Sequence, residues 1–465
     1  MKAVKNLILN GIDKGLDFLN FIQDRFSNEN YEKFKNRENI KKENVEELMN
    51  FNELANSKGY LVEDHEVITE DGYILKLHRL ILPKEKEEKN SNSNPNSNTN
   101  LDNKSQSILL MHGIFDSSEG WILNDKENSV AFKLTNSGYD VWLGNSRGNK
   151  YSRNHKFLKE VEIKDKNKNK NKITNSQENI NYSFFINVEE SKITRKLKDE
   201  FWNFSFEEMG KYDIPAFIEY IQKIKKSEKK LIYIGHSQGT VQLFSALTEN
   251  LDYFKSKIKL FLALAPVGKT TNLDSPIYDL LDISQMDFIA NSIGFTELFP
   301  YNEKLNKFTF KLFRSFPILA EFGIEIIGDK KSSEINNLKR IPIFMSHIPS
   351  GSSLKALLHL VQMFRKDKFQ KYDYGIENNK KIYGTEKVAE YDLGKIKDFP
   401  IALFSGENDR LAHPKDVEWL AENLKETLIY SKSFEKMGHM SFQISNNLNW
   451  FEKGMSLIEE YKDKE

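Results

Sequence analysis

A serine, an acidic residue and a histidine in this chain have the side chains that nucleophilic catalysis needs. Ser237 lies in the sequence Gly-His-Ser-Gln-Gly, Asp409 closes Ser-Gly-Glu-Asn-Asp, and His439 follows Phe-Glu-Lys-Met-Gly. A serine hydroxyl is a poor nucleophile until a base takes its proton, and the base in turn needs an acid to orient it. The three residues therefore predict acyl transfer, with Ser237 as nucleophile, His439 as base and Asp409 as acid.

Each of these residues has a simpler interpretation or a rival nearby. A serine at the start of a helix is often only an N-cap, and a single carboxylate in a loop is often a cap or a surface charge. Glu407 is a second candidate acid, but it lies nearer to the preceding strand than Asp409 does. His413 is a second candidate base, but it opens the helical pattern His-Pro-Lys-Asp-Val, which favours capping or surface placement. His112 is interpreted as a structural hydrogen-bonding residue.

Two backbone N–H groups are candidates for an oxyanion hole, which the tetrahedral intermediate of acyl transfer requires. One belongs to Gln238, directly after the nucleophile, and the other to Ile114, after the run Ser-Ile-Leu-Leu-Met-His-Gly. Gly235 and Gly239 flank the serine motif and have no Cβ atom, which suits a strained turn where neighbouring backbones come close.

Short apolar runs that alternate with helical patterns must position these residues. Leu231–Gly235 is predicted as a strand and Gly239–Asn250 as a helix, so Ser237 falls at a strand-to-helix turn. Asp409 and His439 also follow apolar runs and should reach the same sheet edge. The alternation predicts an α/β fold with a mostly parallel central sheet.

Other predicted elements are a hairpin over 62–82 with its turn at Asp71-Gly72, and helices over Ser205–Lys226, Pro414–Leu424 and Ile444–Tyr461.

The chain is predicted to have four parts. Residues 1–50 form an N-terminal amphipathic helix and linker, and residues 51–267 form the first part of the α/β core. That core carries two polar, Asn-rich inserts at about 84–106 and 161–183, whose composition is typical of disordered loops. Residues 268–397 interrupt the alternation with aromatic and aliphatic runs and are predicted as a helical cap or lid insertion. Residues 398–465 complete the core.

The N-terminus has apolar residues at helical spacing from Val4 to Phe26, with a polar opposite face. Asn6, Asn10 and Asp13 break the apolar run that a signal peptide would need. Such a helix can lie on a lipid surface or dock on the body of the protein. We therefore expect an intracellular location peripheral to a membrane or lipid droplet, with a lysosomal or secreted location as the alternative.

Composition excludes several classes of function. The 68 Lys and Arg residues balance 68 Asp and Glu residues, so there is no global electrostatic argument for nucleic-acid binding. The absence of cysteine excludes disulfides, thiol catalysis and cysteine-ligated metals. The nine histidines show no metal-binding spacing, and no apolar run approaches the roughly 18 residues of a membrane span. Neither a metal nor a cofactor is predicted, and the oligomeric state is left open.

Several segments, in order from about residue 55 to the C-terminus, resemble the acid lipases of the α/β-hydrolase superfamily. That family includes lysosomal acid lipases, gastric lipases and fungal steryl ester hydrolases. The segments are EDHEVITEDGYILKLHRL, LLMHGIFDSSEGWI, GYDVWLGNSRGNKYSRNH, FWNFSFEEMGKYDIPAFIEYI, YIGHSQGT, LALAPV, KFQKYDYG and SGENDRLAHPKDVEWL. The chain departs from animal members at His-Met-Ser-Phe, where Ser441 stands in place of an aspartate.

The resemblance implies an α/β-hydrolase fold with a mobile cap, acting on triacylglycerols and sterol esters without a cofactor. It assigns Ser237, Asp409 and His439 to the catalytic triad, and the N–H groups of Ile114 and Gln238 to the oxyanion hole. Two alternatives remain beside a lipid-ester hydrolase. One is a non-enzymatic protein that binds a lipid surface, and the other is a lipid acyltransferase with the same triad.

Overall fold

The computed structural model describes residues 45–83, 105–157, 197, 199–275, 296–301, 324–325, 328–329, 335–446 and 448–464. The predicted N-terminal amphipathic helix and the insert at 161–183 lie outside these residues, as does the insert at 84–106 except for its last two residues. Within the described part, no helix is long and apolar enough to cross a bilayer.

In the part of the chain that the structure describes, a nine-stranded sheet forms the centre of the fold. Its strands follow the order β1-β2-β4-β3-β6-β7-β10-β11, with the short β5 paired to β2. Pairing is parallel from β4 through β3, β6, β7 and β10 to β11, whereas β1, β2 and β5 pair antiparallel. The strands are β1 Leu61–Ile68, β2 Tyr73–Ile81, β3 Ser107–Met111, β4 Asp140–Gly144, β5 Asn154–His155, β6 Leu231–His236, β7 Ile258–Leu264, β10 Ile401–Gly406 and β11 Leu428–Phe434. The predicted α/β fold with a mostly parallel sheet is confirmed.

Burial explains why the central strands have continuous apolar sequences. Every residue of β3, β4, β6 and β10 is buried, because helices pack on the sheet and leave no solvated face. The edge strand β1 is mostly exposed or half-buried, and from Asp64 to Ile68 exposed residues alternate with more buried ones. The predicted hairpin is confirmed, and Gly72 at its turn has φ of +98°.

Helices connect the strands, and three of them pack on the strands next to the candidate nucleophile and acid. The helix after β6 packs on that strand, the helix after β10 packs on β10, and the last helix packs on β7. The α-helices are α1 Phe51–Ser57, α2 Val130–Asn136, α3 Phe206–Glu208, α4 Ile214–Lys225, α5 Gln238–Glu249, α6 Leu251–Lys257, α7 Ile341–His347, α8 Leu354–Lys366, α9 Ile376–Tyr383, α10 Pro414–Asn423, α11 Ser441–Ile444 and α12 Asn449–Tyr461. Short 3-10 helices occur at Val45–Leu48, Ser118–Trp121 and Leu393–Lys395.

Two predicted helices are interrupted, and each interruption has a physical cause. The helix predicted over Ser205–Lys226 contains a π-helical turn at Met209–Asp213 between α3 and α4, in which the Ile214 N–H bonds to the Met209 carbonyl. Pro215 follows directly and has no N–H for a regular helical bond, which accounts for the wider turn.

The helix predicted over Ile444–Tyr461 is wrong in its first turn, since α11 ends at Ile444 and α12 starts at Asn449. A tertiary contact replaces the helical bonds between them. The Asn446 N–H donates to the Ile335 carbonyl at 2.8 Å, and Ser445 forms a β-bridge with Asn336.

The interval between β7 and β10 contains α7, α8 and α9 and a two-stranded antiparallel sheet of β8 Glu297–Leu298 and β9 Ser352–Ser353 within its described part. The helix α8 begins after Ser353, whose hydroxyl accepts the Ala356 N–H at 3.0 Å. The sequence predicted a helical insertion here, and it did not predict this small sheet. The boundaries 268 and 397 stay a prediction.

The close approach of the π-helical turn to α5 gives a stability test. A Cβ atom at Gly210 would overlap the Gln242 carbonyl oxygen, so Gly210→Ala should lower the free energy of unfolding by about 1–3 kcal/mol. A Cβ atom at Gly454 in α12 would have its nearest neighbour at 3.7 Å, so Gly454→Ala should be neutral or raise that energy by about 0.5–1 kcal/mol. Urea unfolding measures both. Equal effects of the two substitutions would contradict the packing described.

Candidate active site

Ser237 occupies a strained turn between β6 and α5. Its backbone has φ of +54° and ψ of −117°, a conformation that residues with a Cβ atom rarely adopt. The turn is held because the Ser237 N–H donates to the Leu264 carbonyl at 3.0 Å and the Ser237 carbonyl accepts the Thr240 N–H at 2.8 Å. The Ser237 side chain makes no capping hydrogen bond, so the helix N-cap interpretation does not describe it.

The glycines beside Ser237 permit this turn. A Cβ atom at Gly235 would lie 2.5 Å from the Gly239 carbonyl oxygen, and one at Gly239 would overlap the Met111 carbonyl oxygen at the end of β3. The end of β6, the start of α5 and the end of β3 therefore meet with no room for side chains between them. This packing fixes Ser237 at the carboxyl edge of the sheet.

The structure brings together the three predicted catalytic residues. The His439 Nε2 atom lies 2.7 Å from the Ser237 Oγ atom, and the His439 Nδ1 atom lies 3.0 Å from each Asp409 carboxylate oxygen. The exposed fractions are 7% for Ser237, 2% for Asp409 and 3% for His439. Because Nδ1 faces a carboxylate it carries the proton, which leaves Nε2 to accept the serine hydroxyl proton.

Two nearby carboxylates favour the protonated form of His439. Burial by itself lowers the pKa of His439, but the charge and hydrogen bond of Asp409, with the charge of Asp329, outweigh burial and raise that pKa. Asp409 is held in turn by the N–H groups of Leu411 and Ala412, each 2.8 Å from its Oδ1 atom.

A second buried histidine contacts the triad and stays neutral. The His236 Nε2–H group donates to the His439 carbonyl at 2.8 Å, and burial, with the charge of His439, lowers the pKa of His236 to about 3. Sequence reasoning missed this contact, because the residue before a nucleophile gives no signal of a partner more than two hundred positions away.

The candidate oxyanion-hole residues lie on segments that adjoin Ser237. Gly113 is so close that a Cβ atom there would be 3.1 Å from the Ser237 Cβ atom and 3.5 Å from its Oγ atom, and Ile114 follows it. Gln238 is the first residue of α5. Among the described residues, neither the Ile114 N–H nor the Gln238 N–H has an internal hydrogen-bond acceptor. Both groups therefore stay candidate donors to a substrate oxygen.

The alternative acid and base, Glu407 and His413, are not part of the hydrogen-bonded triad. Glu407 is exposed, and the His413 side chain caps α10 by accepting the Lys415 N–H at 3.3 Å. The structural interpretation of His112 is confirmed, since its Nδ1–H group donates to the Gly113 carbonyl at 2.7 Å and its Nε2 atom accepts the Ser146 N–H at 3.1 Å.

An apolar cluster from several elements includes Ile114. Leu273, Leu357 and Val361 form its buried centre. The half-buried residues around that centre are Ile114, Phe115, Leu298, Phe364 and Leu411. We call these eight residues the acyl-side cluster, because Ile114, a candidate oxyanion-hole residue, is one of them. In the described residues, no group of three His, Asp or Glu side chains is arranged to hold a metal ion.

The strain at Ser237 predicts a difference between two substitutions that both remove the hydroxyl. Glycine adopts the observed backbone conformation without strain, so Ser237→Gly should be more stable to unfolding than Ser237→Ala by about 1–2 kcal/mol. Paired urea-unfolding curves give the difference. A glycine variant less stable than the alanine variant would show that the turn stores no strain.

Comparison with known proteins gives matches over nearly the whole described chain. A family model described as a partial α/β-hydrolase lipase region matches residues 51–125, and one for the α/β-hydrolase fold matches residues 106–443. The chain is 33% identical to lipase lipl-1 of Caenorhabditis elegans over 83% of this chain and 84% of that protein. It is 32% identical to human gastric triacylglycerol lipase, over 85% and 87% of the two chains. Mouse lipase member K is 31% identical, over 87% and 89%.

Proposed function

The chain belongs to the lipase family of the α/β-hydrolase fold and is a carboxylic ester hydrolase acting on lipids, and we propose that it cleaves triacylglycerols through an acyl-enzyme on Ser237. The observation that carries this proposal is the unbroken set of hydrogen bonds from the Ser237 hydroxyl through His439 to Asp409. A protein that only binds lipid would need neither that arrangement nor a strained serine.

Acylation follows from the geometry. The His439 Nε2 atom takes the hydroxyl proton as the Ser237 Oγ atom attacks the ester carbonyl carbon. The N–H groups of Ile114 and Gln238 stabilise the negative oxygen that forms. The intermediate then collapses, the bond to the glycerol oxygen breaks, and His439 gives its proton to the departing alcohol.

Deacylation uses the same groups in reverse order. His439, again neutral, takes a proton from a water molecule, and the resulting hydroxide attacks the acyl carbon. The second tetrahedral intermediate collapses to release the fatty acid, and the Ser237 oxygen takes back the proton from His439. Asp409 stabilises the imidazolium formed in each half of the cycle.

The substrate assignment rests on the acyl-side cluster and on the names of similar proteins. The half-buried apolar side chains of that cluster include Ile114, one of the two candidate oxyanion donors, and they suit a long acyl chain better than a polar acyl group. Among the similar proteins, the rat, human, mouse and bovine gastric lipases are named for triacylglycerol. Sterol esters present the same ester bond and are the second candidate, and an acyltransferase would share the acyl-enzyme and differ in its acceptor.

The place of action stays a prediction. We propose contact with a membrane or lipid-droplet surface, because the substrates are insoluble and residues 4–26 have an amphipathic pattern. A secreted or lysosomal site is the alternative that the named gastric lipases support.

Substitution of the nucleophile tests the mechanism. Ser237→Ala should reduce the rate of trioleoylglycerol hydrolysis by about 10⁴-fold or more, since no other group can form the acyl-enzyme. Ser433→Ala is the matched control, because Ser433 is an exposed serine on β11 that is not part of the triad. Parallel assays with cholesteryl oleate show whether sterol esters or triacylglycerols are the preferred substrate. Assays with and without an added acceptor alcohol show whether the acyl group goes to water or to an alcohol. Equal rates for the wild type and Ser237→Ala would end the proposal.

A bulky substitution in the acyl-side cluster tests the substrate assignment. Leu357→Trp should lower the ratio of trioleoylglycerol to tributyrin hydrolysis about tenfold or more, because Leu357 is buried in the cluster and the larger indole would displace the half-buried side chains, Ile114 among them, that we propose contact the long acyl chain. Leu358→Trp is the control, since Leu358 forms a different buried centre with Leu354, and only the half-buried Leu298 packs against both centres. The assignment fails if the two variants have the same chain-length profile.

A further inference from the structure

The segment Gly328–Asp329, which belongs to the interval between β7 and β10, contacts both loops that carry the acid and the base. The Gly328 carbonyl accepts the Arg410 N–H at 2.9 Å and lies 3.5 Å from the His439 backbone nitrogen. Asp329 also forms an isolated β-bridge with Asp409. The catalytic loops are thus joined to each other through a segment outside the α/β core.

The Asp329 side chain is fully buried and is bonded to the His439 loop. Its Oδ1 atom accepts the Met440 N–H at 2.7 Å. Its Oδ2 atom accepts the Asn336 side-chain amide at 2.9 Å and faces the Ser441 hydroxyl at 3.4 Å. That hydroxyl oxygen accepts the Gly438 N–H at 2.9 Å. The residues on both sides of His439 are therefore tied, directly or through Ser441, to one carboxylate.

Two glycines allow this contact to be close. A Cβ atom at Gly438 would overlap the Asp329 carboxyl carbon, and one at Gly328 would lie 2.7 Å from the His439 Cβ atom. The two segments thus pack closely, with no side chain between them at either glycine. A displacement of Asp329 should therefore also displace the His439 imidazole.

We propose that Asp329 is a positioning residue for His439: its carboxylate fixes the loop that carries the imidazole and adds a second negative charge beside the imidazolium formed in catalysis. The proposal rests on the function proposed above, in which His439 is the base. Asp329 does not contact the reacting atoms and acts only through His439.

The charges around His439 give the expected direction of the effect. Among the described residues, the titratable groups that face it are Asp409, Asp329 and His236, and His236 is neutral. Burial raises the pKa of Asp329, and the charge of Asp409 raises it further, against the hydrogen bonds from Met440 and Asn336. Removing the Asp329 charge removes one of the two carboxylates that favour protonated His439. The pKa of His439 should then fall, and the neutral base should persist to lower pH.

Two substitutions separate the charge from the hydrogen bonds. Asp329→Asn keeps the shape and an oxygen acceptor for the Met440 N–H but removes the charge, whereas Asp329→Ala removes both. With p-nitrophenyl butyrate, the acid limb of the kcat/KM pH profile should move to lower pH in Asp329→Asn. Asp329→Ala should lose about 10- to 100-fold in kcat with KM within about twofold, because a displaced base slows the chemical step and not binding. Asp329→Asn should recover most of that kcat.

Glu407→Gln is the control for charge, since it removes an exposed carboxylate two residues from Asp409 and should leave the pH profile unchanged. Urea unfolding establishes the folded fraction of every variant, and Asp329→Asn supplies the pH test if Asp329→Ala does not fold. An acid limb in Asp329→Asn that superimposes on that of the wild type would overturn the proposal, as would a rise in KM at constant kcat. Ser237→Ala is assayed alongside. If Ser237→Ala is inactive while Asp329→Asn has the pH profile of the wild type, only the inference about Asp329 fails. If Ser237→Ala is as active as the wild type, the proposed function fails, and the inference about Asp329 fails as well.

Discussion

The hydrogen bond between the Ser237 hydroxyl and the His439 imidazole is the interaction on which the account of this protein depends. It joins residues 202 positions apart at a distance of 2.7 Å. Side chains so distant in sequence meet because β6, β10 and β11 run parallel in one sheet and end at the same edge. The strain in the Ser237 backbone has a similar origin, since the turn must hold the hydroxyl clear of β6 while α5 packs directly behind it.

Burial determines how the rest of the site is built around that bond. A carboxylate removed from water is costly unless it is hydrogen-bonded, and Asp409 meets that need with two backbone N–H groups and the imidazole. The buried Asp329 meets it with a backbone N–H, an amide and a hydroxyl. His236 avoids the cost by remaining neutral and donating one hydrogen bond to the His439 carbonyl. The site therefore places two carboxylates, Asp409 and Asp329, near one base, His439.

Sequence reasoning located the elements whose signals are local. The apolar runs gave the parallel strands, and the glycines around Ser237 indicated the turn, because both depend on neighbouring residues only. The positions of the nucleophile, acid and base followed from the ends of those strands. The π-helical turn was missed although Pro215 gave a signal for it. The break after Ile444 had no local signal, since it depends on a β-bridge to Asn336. Asp329 was missed for the same reason, because its partners in the His439 loop lie about 110 residues further along the chain.

The most direct test of the central claim is to map where an activated-ester analogue reacts. Treatment of the protein with a fluorophosphonate, followed by proteolysis and peptide mass spectrometry, should give one phosphonyl adduct, on Ser237, and substitution of His439 by alanine should abolish it. Only a serine whose proton is taken by a neighbouring base reacts in this way. An adduct on a different serine, or no adduct on folded protein, would contradict the mechanism derived from the hydrogen bond between Ser237 and His439.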